Sequence, residues 1–234
     1  MSTHERPVAL LTGGSAGLGR ELVHALVARD WRVVTDGRDA DRLAAAVAGT
    51  RVLALPGDVA DPDHRSELVA AVTALGRLDL LVHNASHLGP SPLLPLDRLG
   101  DNELATIWAT NVAAPHALTQ ALVGLLAASD GILLSISSDA AVEHYEGWGG
   151  YGASKAALDH LTLTFGVETG LTAWAVDPGD MRTAMHQAAY PGEDISDRPL
   201  PATVVPHLLA LLDQRPPSGR YRAADVAVGA GAGR

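Results

Sequence analysis

Short apolar runs alternate along the chain with longer segments whose apolar residues recur every three to four positions. Val8–Leu11, Arg32–Thr35, Val52–Leu55, Leu78–His83, Ile132–Ile136 and Thr172–Val176 read as strands, and Arg220–Ala223 closes the series. Between them, Gly17–Arg29 carries Leu18, Leu22, Ala25 and Leu26 on one helical stripe, and Asp39–Ala48 follows as a second helix. Asp61 caps a third, with Pro62 at its first position, that runs to Leu75. A Pro/Gly-rich loop spans Gly89 to Gly100, and a long helix then runs from Asp101 to about Ala128, bent at Pro115. Gly150–Gly166 and Val204–Leu212 complete the helices. The polar, proline-bearing segment Ala184–Pro201 between them reads as a lid, at about 184–201.

The strand-like runs are short and do not alternate strictly with polar residues. That pattern belongs to strands buried on both faces, and helices between nearly all of them call for a parallel sheet covered on both sides. The expected architecture is therefore α/β, one doubly wound domain over residues 1–234. Ligands in such sheets bind beyond the carboxyl ends of the strands, so chemistry is sought just after each strand.

A length of 234 residues suits one α/β domain, and an apolar content of 47% supplies its core. The longest apolar stretch, Ala121 to Ala128, falls short of the ~18 residues of a membrane span. The first residues carry no signal-peptide core, which places the protein in the cytoplasm as an expectation. The Gly/Ala-rich end is expected to fray over about 226–234. With no cysteine there are no disulfides or thiolates, and the ten histidines show no metal-ligand spacing, so no metal is expected. A net charge of −10 argues against nucleic acid or an anionic membrane as partner. One lysine, Lys155, stands among sixteen arginines, which makes that lysine worth explaining.

After the first strand comes Thr12-Gly13-Gly14-Ser15-Ala16-Gly17-Leu18-Gly19, opening directly into a helix. Gly13 permits a sharp turn, and Gly17 and Gly19 let backbone approach a ligand and the sheet. The helix start presents free N–H groups to a pyrophosphate. The same stretch also fits the G-x-S-x-G elbow of serine hydrolases, with Ser15 as nucleophile and a late histidine such as His207 as base. That elbow belongs after a central strand deep in the chain, and His207 sits among apolar helix residues, so dinucleotide binding is the stronger reading. After the second strand, Asp36 and Arg38 compete. An acid there accepts the ribose hydroxyls of NAD, and a base pairs with the 2′-phosphate of NADP.

After the fifth strand stand Ser137 and Ser138. Tyr151 follows thirteen residues after Ser138 at a helix start, with Lys155 one turn on and on the same face. A tyrosine ordinarily ionises near pH ~10, so proton exchange with a carbonyl near neutrality asks for a value about 3 lower, roughly 4 kcal/mol. A neighbouring ammonium and an oxidised nicotinamide both favour the phenolate. A serine hydroxyl can orient the substrate oxygen. Lysine's compact ammonium reaches a ribose hydroxyl in a way that arginine's planar fork does not.

Together these residues resemble the short-chain dehydrogenase/reductase family over about residues 7–223. The resemblance implies a single Rossmann-type domain with a central, mostly seven-stranded parallel sheet flanked by helices. It implies a cofactor turn at Gly13, Ser15, Gly17, Leu18 and Gly19, an adenine-contacting pair at Asp58 and Val59, and a cofactor contact at Asn84 and Ala85. It makes Ser138, Tyr151 and Lys155 the catalytic three, the last two also touching the cofactor, with Asn111 holding a proton-relay water. Pro178, Gly179 and Thr183 would cradle the nicotinamide. The chain departs from the pattern at Ser86, where a glycine is usual, and at Asp36, one position before the NAD-selecting acid. Arg38 occupies the NADP-preferring position, so NADP(H) is favoured over NAD(H). A homodimer or homotetramer is implied, with the tetramer contacts in doubt because the usual glycine-rich ending is missing.

The substrate pocket is expected between Ser86–Leu93, Ala140–Gly149 and Ala184–Pro201. His144, Tyr145, Trp148, His186 and Tyr190 fall there, in a chain with nine Phe, Trp and Tyr residues, and point to a bulky or ring-bearing carbonyl or alcohol. Three functions follow: an oxidoreductase with Tyr151 as acid/base, a non-catalytic NADP-sensing Rossmann protein, and a serine hydrolase using Ser15. The first uses every motif.

Overall fold

The computed structural model describes residues 6–229. Seven strands form one sheet: β1 (Val8–Leu11), β2 (Arg32–Gly37), β3 (Leu53–Pro56), β4 (Leu80–His83), β5 (Ile132–Ile136), β6 (Thr172–Asp177) and β7 (Gly219–Arg222). Their order is β3-β2-β1-β4-β5-β6-β7 and each neighbouring pair is parallel. The chain builds outward from β1 to one edge, then crosses back to β4 and builds to the other. Loops after β1 and β4 therefore leave in opposite directions and open a crevice at the carboxyl end of the sheet.

The helices are α1 (Gly17–Ala28), α2 (Ala40–Ala46), α3 (Pro62–Ala74), α4 (Asp101–Trp108), α5 (Ala114–Ala128), α6 (Gly149–Thr169), α7 (Ala184–Ala189) and α8 (Val205–Gln214). Alternate strand residues point to opposite faces, so the apolar runs feed two cores. On one face Leu11, Leu80 and Trp174 pack with Leu22 and Leu26 of α1 and Leu208 of α8. On the other, Leu10, Leu81 and Ala173 pack with Leu68 of α3 and Leu118 and Leu122 of α5. Trp174 is fully buried, and its indole N–H donates to the Pro216 carbonyl oxygen at 3.1 Å.

Four local differences from the sequence expectations bear on the site. Strand β2 runs two residues further than its apolar pattern, because Asp36 and Gly37 pair in register with Leu55 and Pro56 of β3. The expected Asp101–Ala128 helix is broken by a π-helical turn, Ala109–Ala113, between α4 and α5. That turn interrupts the α-helix, whereas Pro115 sits in the first turn of α5, where its missing N–H costs little. The lid segment holds α7 and then a run of turns to Leu200. The tail expected to be loose from about 226 is anchored at its start. Val226 is buried and its carbonyl oxygen receives His207 Nδ1 at 2.8 Å, while Gln214 Nε2 donates to the Ala227 carbonyl oxygen at 2.7 Å. Residues 230–234 of that tail lie outside the described residues. Among the described residues no helix is long and apolar enough to cross a membrane.

Trp174 sits where β5, β6 and β7 meet α8, so its removal should be felt by the whole sheet. Trp174→Ala is expected to cost about 3–5 kcal/mol in urea unfolding. A loss below about 1 kcal/mol would show that this core can close over the gap.

Candidate active site

The crevice is a cavity of about 820 Å³ that runs from Arg38 and Arg42 past the glycine turn to Ser138, Tyr151 and Thr183. The turn between β1 and α1 is built by neighbours on three sides. Gly13 has φ 75°, and a side chain there would meet the Ala85 backbone at 2.9 Å. Thr12 Oγ1 accepts the backbone N–H groups of Asn84 and Ala85 at 3.2 and 3.1 Å. Asn84 Nδ2 donates to the carbonyl oxygens of Thr12 and Gly13 at 2.9 and 3.1 Å. A side chain on Gly19 would lie 2.3 Å from the Gly13 carbonyl oxygen, so α1 can approach β1 only with glycine at that position. Asn84 and Ala85 thus brace the turn as well as lining the cavity.

The N-terminus of α1 has no side-chain cap and no acidic residue in its first turn. Its free N–H groups and partial positive charge face the cavity beside Ser15, Gly17 and Leu18, an arrangement that receives an anion. Gly17, at φ 53°, stands opposite the methyl group of Thr183. Thr183 Oγ1 accepts the His186 N–H at 3.1 Å and so caps α7. Pro178 and Gly179 follow β6, with the Gly179 N–H held by Asp177 Oδ1 at 2.9 Å. Asp58 folds back on the Ala60 N–H at 2.9 Å, and Val59 beside it is buried at the cavity wall.

Asp36 differs from its expected role. It is buried within β2, with one carboxylate oxygen taking the Gly13 N–H at 2.6 Å and the other facing His64 Nε2 at 3.2 Å. Both oxygens are engaged inside the protein rather than held out to a ribose. Arg38 is exposed at the cavity rim just before α2, and Arg42 in the first turn of α2 joins it there. Neither guanidinium has an ion-pair partner among the described residues. Arg42 escaped the sequence reading, because nothing in the residue pattern distinguishes it from the other helix arginines.

Ser138, Tyr151 and Lys155 come together at the other end. Ser138 Oγ caps a short 3₁₀ turn, Asp139–Ala141, accepting the Ala140 N–H at 3.2 Å and donating to Asp139 Oδ1 at 3.0 Å. Tyr151 is buried near the start of α6. Burial pushes its phenol up to about 12, opposed by hydrogen bonding to the Ser86 and Ser138 hydroxyls. The lowering expected from the sequence is therefore absent from the protein alone, because desolvation of the phenolate outweighs its neighbours. Ser86 matters for the same reason: where the family pattern has glycine, this chain adds a hydroxyl beside the phenol.

Lys155 lies one turn along α6, its Nζ 5.6 Å from the Tyr151 ring centre and donating to the Ile136 carbonyl oxygen at 2.8 Å. It is 1% exposed, and burial pulls its ammonium down to about 8, with Asp159 opposing. The same burial, together with the Lys155 charge, drives His83 down to about 3, so that imidazole is neutral at any working pH. Asn111, inside the π turn, is fully buried. Its Nδ2 donates to the His87 carbonyl oxygen and to Ser154 Oγ, both at 2.9 Å, and its Oδ1 accepts the His87 N–H at 2.7 Å. That side chain is saturated by protein. It stitches the loop after β4 to α6.

Behind the serine lies an ion cluster that sequence reasoning missed. Asp159 Oδ2 accepts Ser137 Oγ at 2.8 Å and Arg220 Nε at 3.0 Å. Arg220 also donates to the Ser138 carbonyl oxygen at 2.8 Å and reaches Asp177 Oδ2 at 3.8 Å. One guanidinium on β7 thereby clamps the serine loop, α6 and the end of β6.

The aromatic residues expected to wall the pocket pack largely on one another. Trp148 meets the Tyr151 ring edge-on at 5.6 Å and lies 6.2 Å from Tyr190, which stacks with His186 at 5.1 Å. Tyr145 is exposed and donates to Asp139 Oδ2 at 2.9 Å, and His144 is exposed. The nucleophile arrangement of a hydrolase is not assembled. Ser15 Oγ has no histidine partner among the described residues, and His207 is occupied with Val226. No group of three acidic or histidine side chains placed to hold a metal occurs among the described residues.

Because Asp159 and Arg220 compensate one another, Arg220→Gln should cost about 2 kcal/mol of stability, less than a fully buried pair because a quarter of Arg220 meets solvent. The double variant Asp159→Asn/Arg220→Gln should lose less than Arg220→Gln alone in urea unfolding. Equal losses would show that the pair is not coupled.

Comparison with known proteins agrees with this geometry. The family described as short chain dehydrogenase matches residues 7–194. The oxidoreductase YciK of Escherichia coli K12 is 30% identical over 218 residues, covering 88% of this chain and 85% of that protein. A short chain dehydrogenase from Shigella flexneri, complexed with NADP, superposes with a TM-score of 0.86 at 28% identity, covering 93% of this chain and 97% of that one. Another from Escherichia coli CFT073, complexed with NADPH, superposes with a TM-score of 0.85 at 28% identity, covering 93% and 96%. Sheet order, crevice and sequence likeness lead to one conclusion: the chain belongs to the short chain dehydrogenase family and is an oxidoreductase.

Proposed function

We propose that the protein transfers hydride between NADP(H), in preference to NAD(H), and a ketone, aldehyde or secondary alcohol, with Tyr151 as the proton-exchanging group. The observation that carries this reading is the burial of Tyr151 beside the Ser86 and Ser138 hydroxyls with Lys155 one turn away. The residues present fit a dinucleotide. The cavity is about 820 Å³, Gly13 and Gly19 leave no room for side chains in the turn, and the uncapped start of α1 presents free N–H groups to an anion. Gly13, Ser15, Gly17, Leu18 and Gly19 would hold the diphosphate. Asp58, Val59, Asn84 and Ala85 would face the adenosine side, and Pro178, Gly179 and Thr183 the nicotinamide. When bound, the nicotinamide supplies or accepts the hydride.

The protein's own part is binding and proton handling. Ser138 turns its hydroxyl from Asp139 to the substrate oxygen and orients it. Tyr151, kept protonated by burial, gives its proton to that oxygen in the reducing direction. The Lys155 ammonium steadies the phenolate left behind. The Asn111 side chain holds the loop after β4 against α6, so that Ser86 keeps its place by the phenol. Arg38 and Arg42, which have no ion-pair partner among the described residues, supply guanidinium groups for a 2′-phosphate, while Asp36 is engaged with Gly13 and His64. Leu104 and Trp108, partly exposed on α4, support the homo-oligomer implied by the family resemblance.

Three outcomes are expected. Nicotinamide fluorescence titration should give NADPH a Kd at least about tenfold below that of NADH, and Arg38→Ala should bring the two together, since a charge-assisted phosphate contact contributes about 1.5–3 kcal/mol. Equal affinities in the native protein would remove the preference. Tyr151→Phe should lower kcat by about 10²–10⁴ with NADPH affinity unchanged, and near-native turnover would end the assignment. For carbonyl reduction, kcat/KM should be level near neutrality and fall as pH passes about 8, because a lysine whose value is lowered loses its proton on the alkaline side. A profile level to about pH 10 would contradict that role.

A further inference from the structure

His64 and Asp36 form a buried pair directly behind the glycine turn. His64 lies on α3 and Asp36 on β2, and their side chains are 4% and 2% exposed. The imidazole reaches Asp36 only because residue 57 is glycine: a side chain on Gly57 would lie 2.2 Å from His64 Nδ1. Asp36 passes the contact on, since its other oxygen takes the Gly13 N–H at 2.6 Å. Asp36 also lines the same end of the cavity as Arg38 and Arg42. A carboxylate at that end repels a phosphate unless a proton on His64 neutralises it.

We propose that His64 is a positioning residue for cofactor choice: its protonated form neutralises Asp36 and lets the cavity take a dinucleotide bearing a 2′-phosphate. This rests on the cofactor reading given above. With His64 neutral, the Asp36 charge stands uncompensated beside Arg38 and Arg42 and offsets their attraction for the phosphate. A dinucleotide lacking that phosphate feels the difference far less, because its diphosphate is held by the backbone at the start of α1.

The surroundings favour the protonated form. His64 is raised above its ordinary value, first by its hydrogen bond to Asp36, against burial, with the charges of Asp36 and Glu67 adding. Glu67 Oε2 is 3.7 Å from Nδ1, which has no hydrogen-bond partner. Of the other charges nearby, Arg65 donates to the Val59 carbonyl oxygen, and the Asp58 carboxylate accepts the Ala60 N–H. Helix α5, packed on α3, has one titratable residue, His116, which stacks with Phe165. A raised histidine keeps its proton to higher pH than an ordinary one and loses it as pH rises further, so the compensation disappears on the alkaline side.

The test is a set of NADPH and NADH titrations on the full chain between about pH 7 and 9.5, where the 2′-phosphate stays doubly ionised. In the native protein the NADPH Kd should rise about tenfold across that range, the effect of one uncompensated charge, while the NADH Kd changes less than about twofold. His64→Gln, which keeps an N–H donor for Asp36, should hold NADPH at the weak alkaline value at every pH. Asp36→Asn, which still accepts the Gly13 N–H, should hold it at the tight neutral value. The two variants therefore move in opposite directions. Native pH dependence in both variants, or equal weakening of both cofactors in His64→Gln, would overturn the inference, the latter by showing a purely structural role. A native protein that binds NADPH tightly but without pH dependence would overturn it while sparing the cofactor reading. Binding of neither nucleotide would overturn both.

Discussion

One buried ammonium organises the active end of this molecule. Lys155 is almost wholly withdrawn from water, and a lysine there is tolerable only where fixed dipoles and charges take the place of solvent. The Ile136 carbonyl oxygen at the end of β5 supplies one partner, and Asp159 one turn along α6 supplies opposite charge. The consequences spread outward. Asp159 in turn requires Arg220, and Arg220 fixes the Ser138 main chain from the far edge of the sheet. Tyr151 lies against the ammonium in a pocket dry enough to keep its proton. That chain of dependence fixes one side of the crevice from the cost of a single charge.

The other side depends on backbone rather than charge. Because the strand order reverses between β1 and β4, the turn after β1 and the strand end at Asn84 face one another across a gap. Thr12 and Asn84 bridge them with four hydrogen bonds. Asp36 holds the turn from the β2 side. The glycine turn is thus held by the protein's own hydrogen bonds, and α1 points its uncapped start into the space it leaves.

Much of this was legible in the sequence, for identifiable reasons. Strands buried on both faces write themselves as apolar runs, as β1, β4, β5 and β6 do, whereas the edge strands β3 and β7 are half-buried and β7 carries two arginines; the glycine turn, Ser138, Tyr151 and Lys155 fell after the strands where such a sheet presents them. Lys155 stood out because arginine fills the other basic positions. The same bias hid Arg220, one arginine among sixteen, whose partners come from β6, the serine loop and α6. Asp36 was misplaced because a polar Asp-Gly pair reads as a turn, whereas register with β3 keeps it in the strand. The π turn at Asn111 has no sequence period of its own. The descent of the Tyr151 value failed to appear because residue spacing reports neighbours but not desolvation.

The central claim is that this crevice moves a hydride and a proton rather than merely reading a dinucleotide. Single-turnover mixing of the protein with NADPH, carrying deuterium at the transferring carbon, against a panel of ketones and aldehydes tests it most directly. The account predicts label in the product alcohol, a primary isotope effect on nicotinamide oxidation, and loss of both in Tyr151→Phe with NADPH still bound. Tight NADPH binding with no label transferred to any carbonyl would contradict it and leave a dinucleotide sensor built on an enzyme's fold.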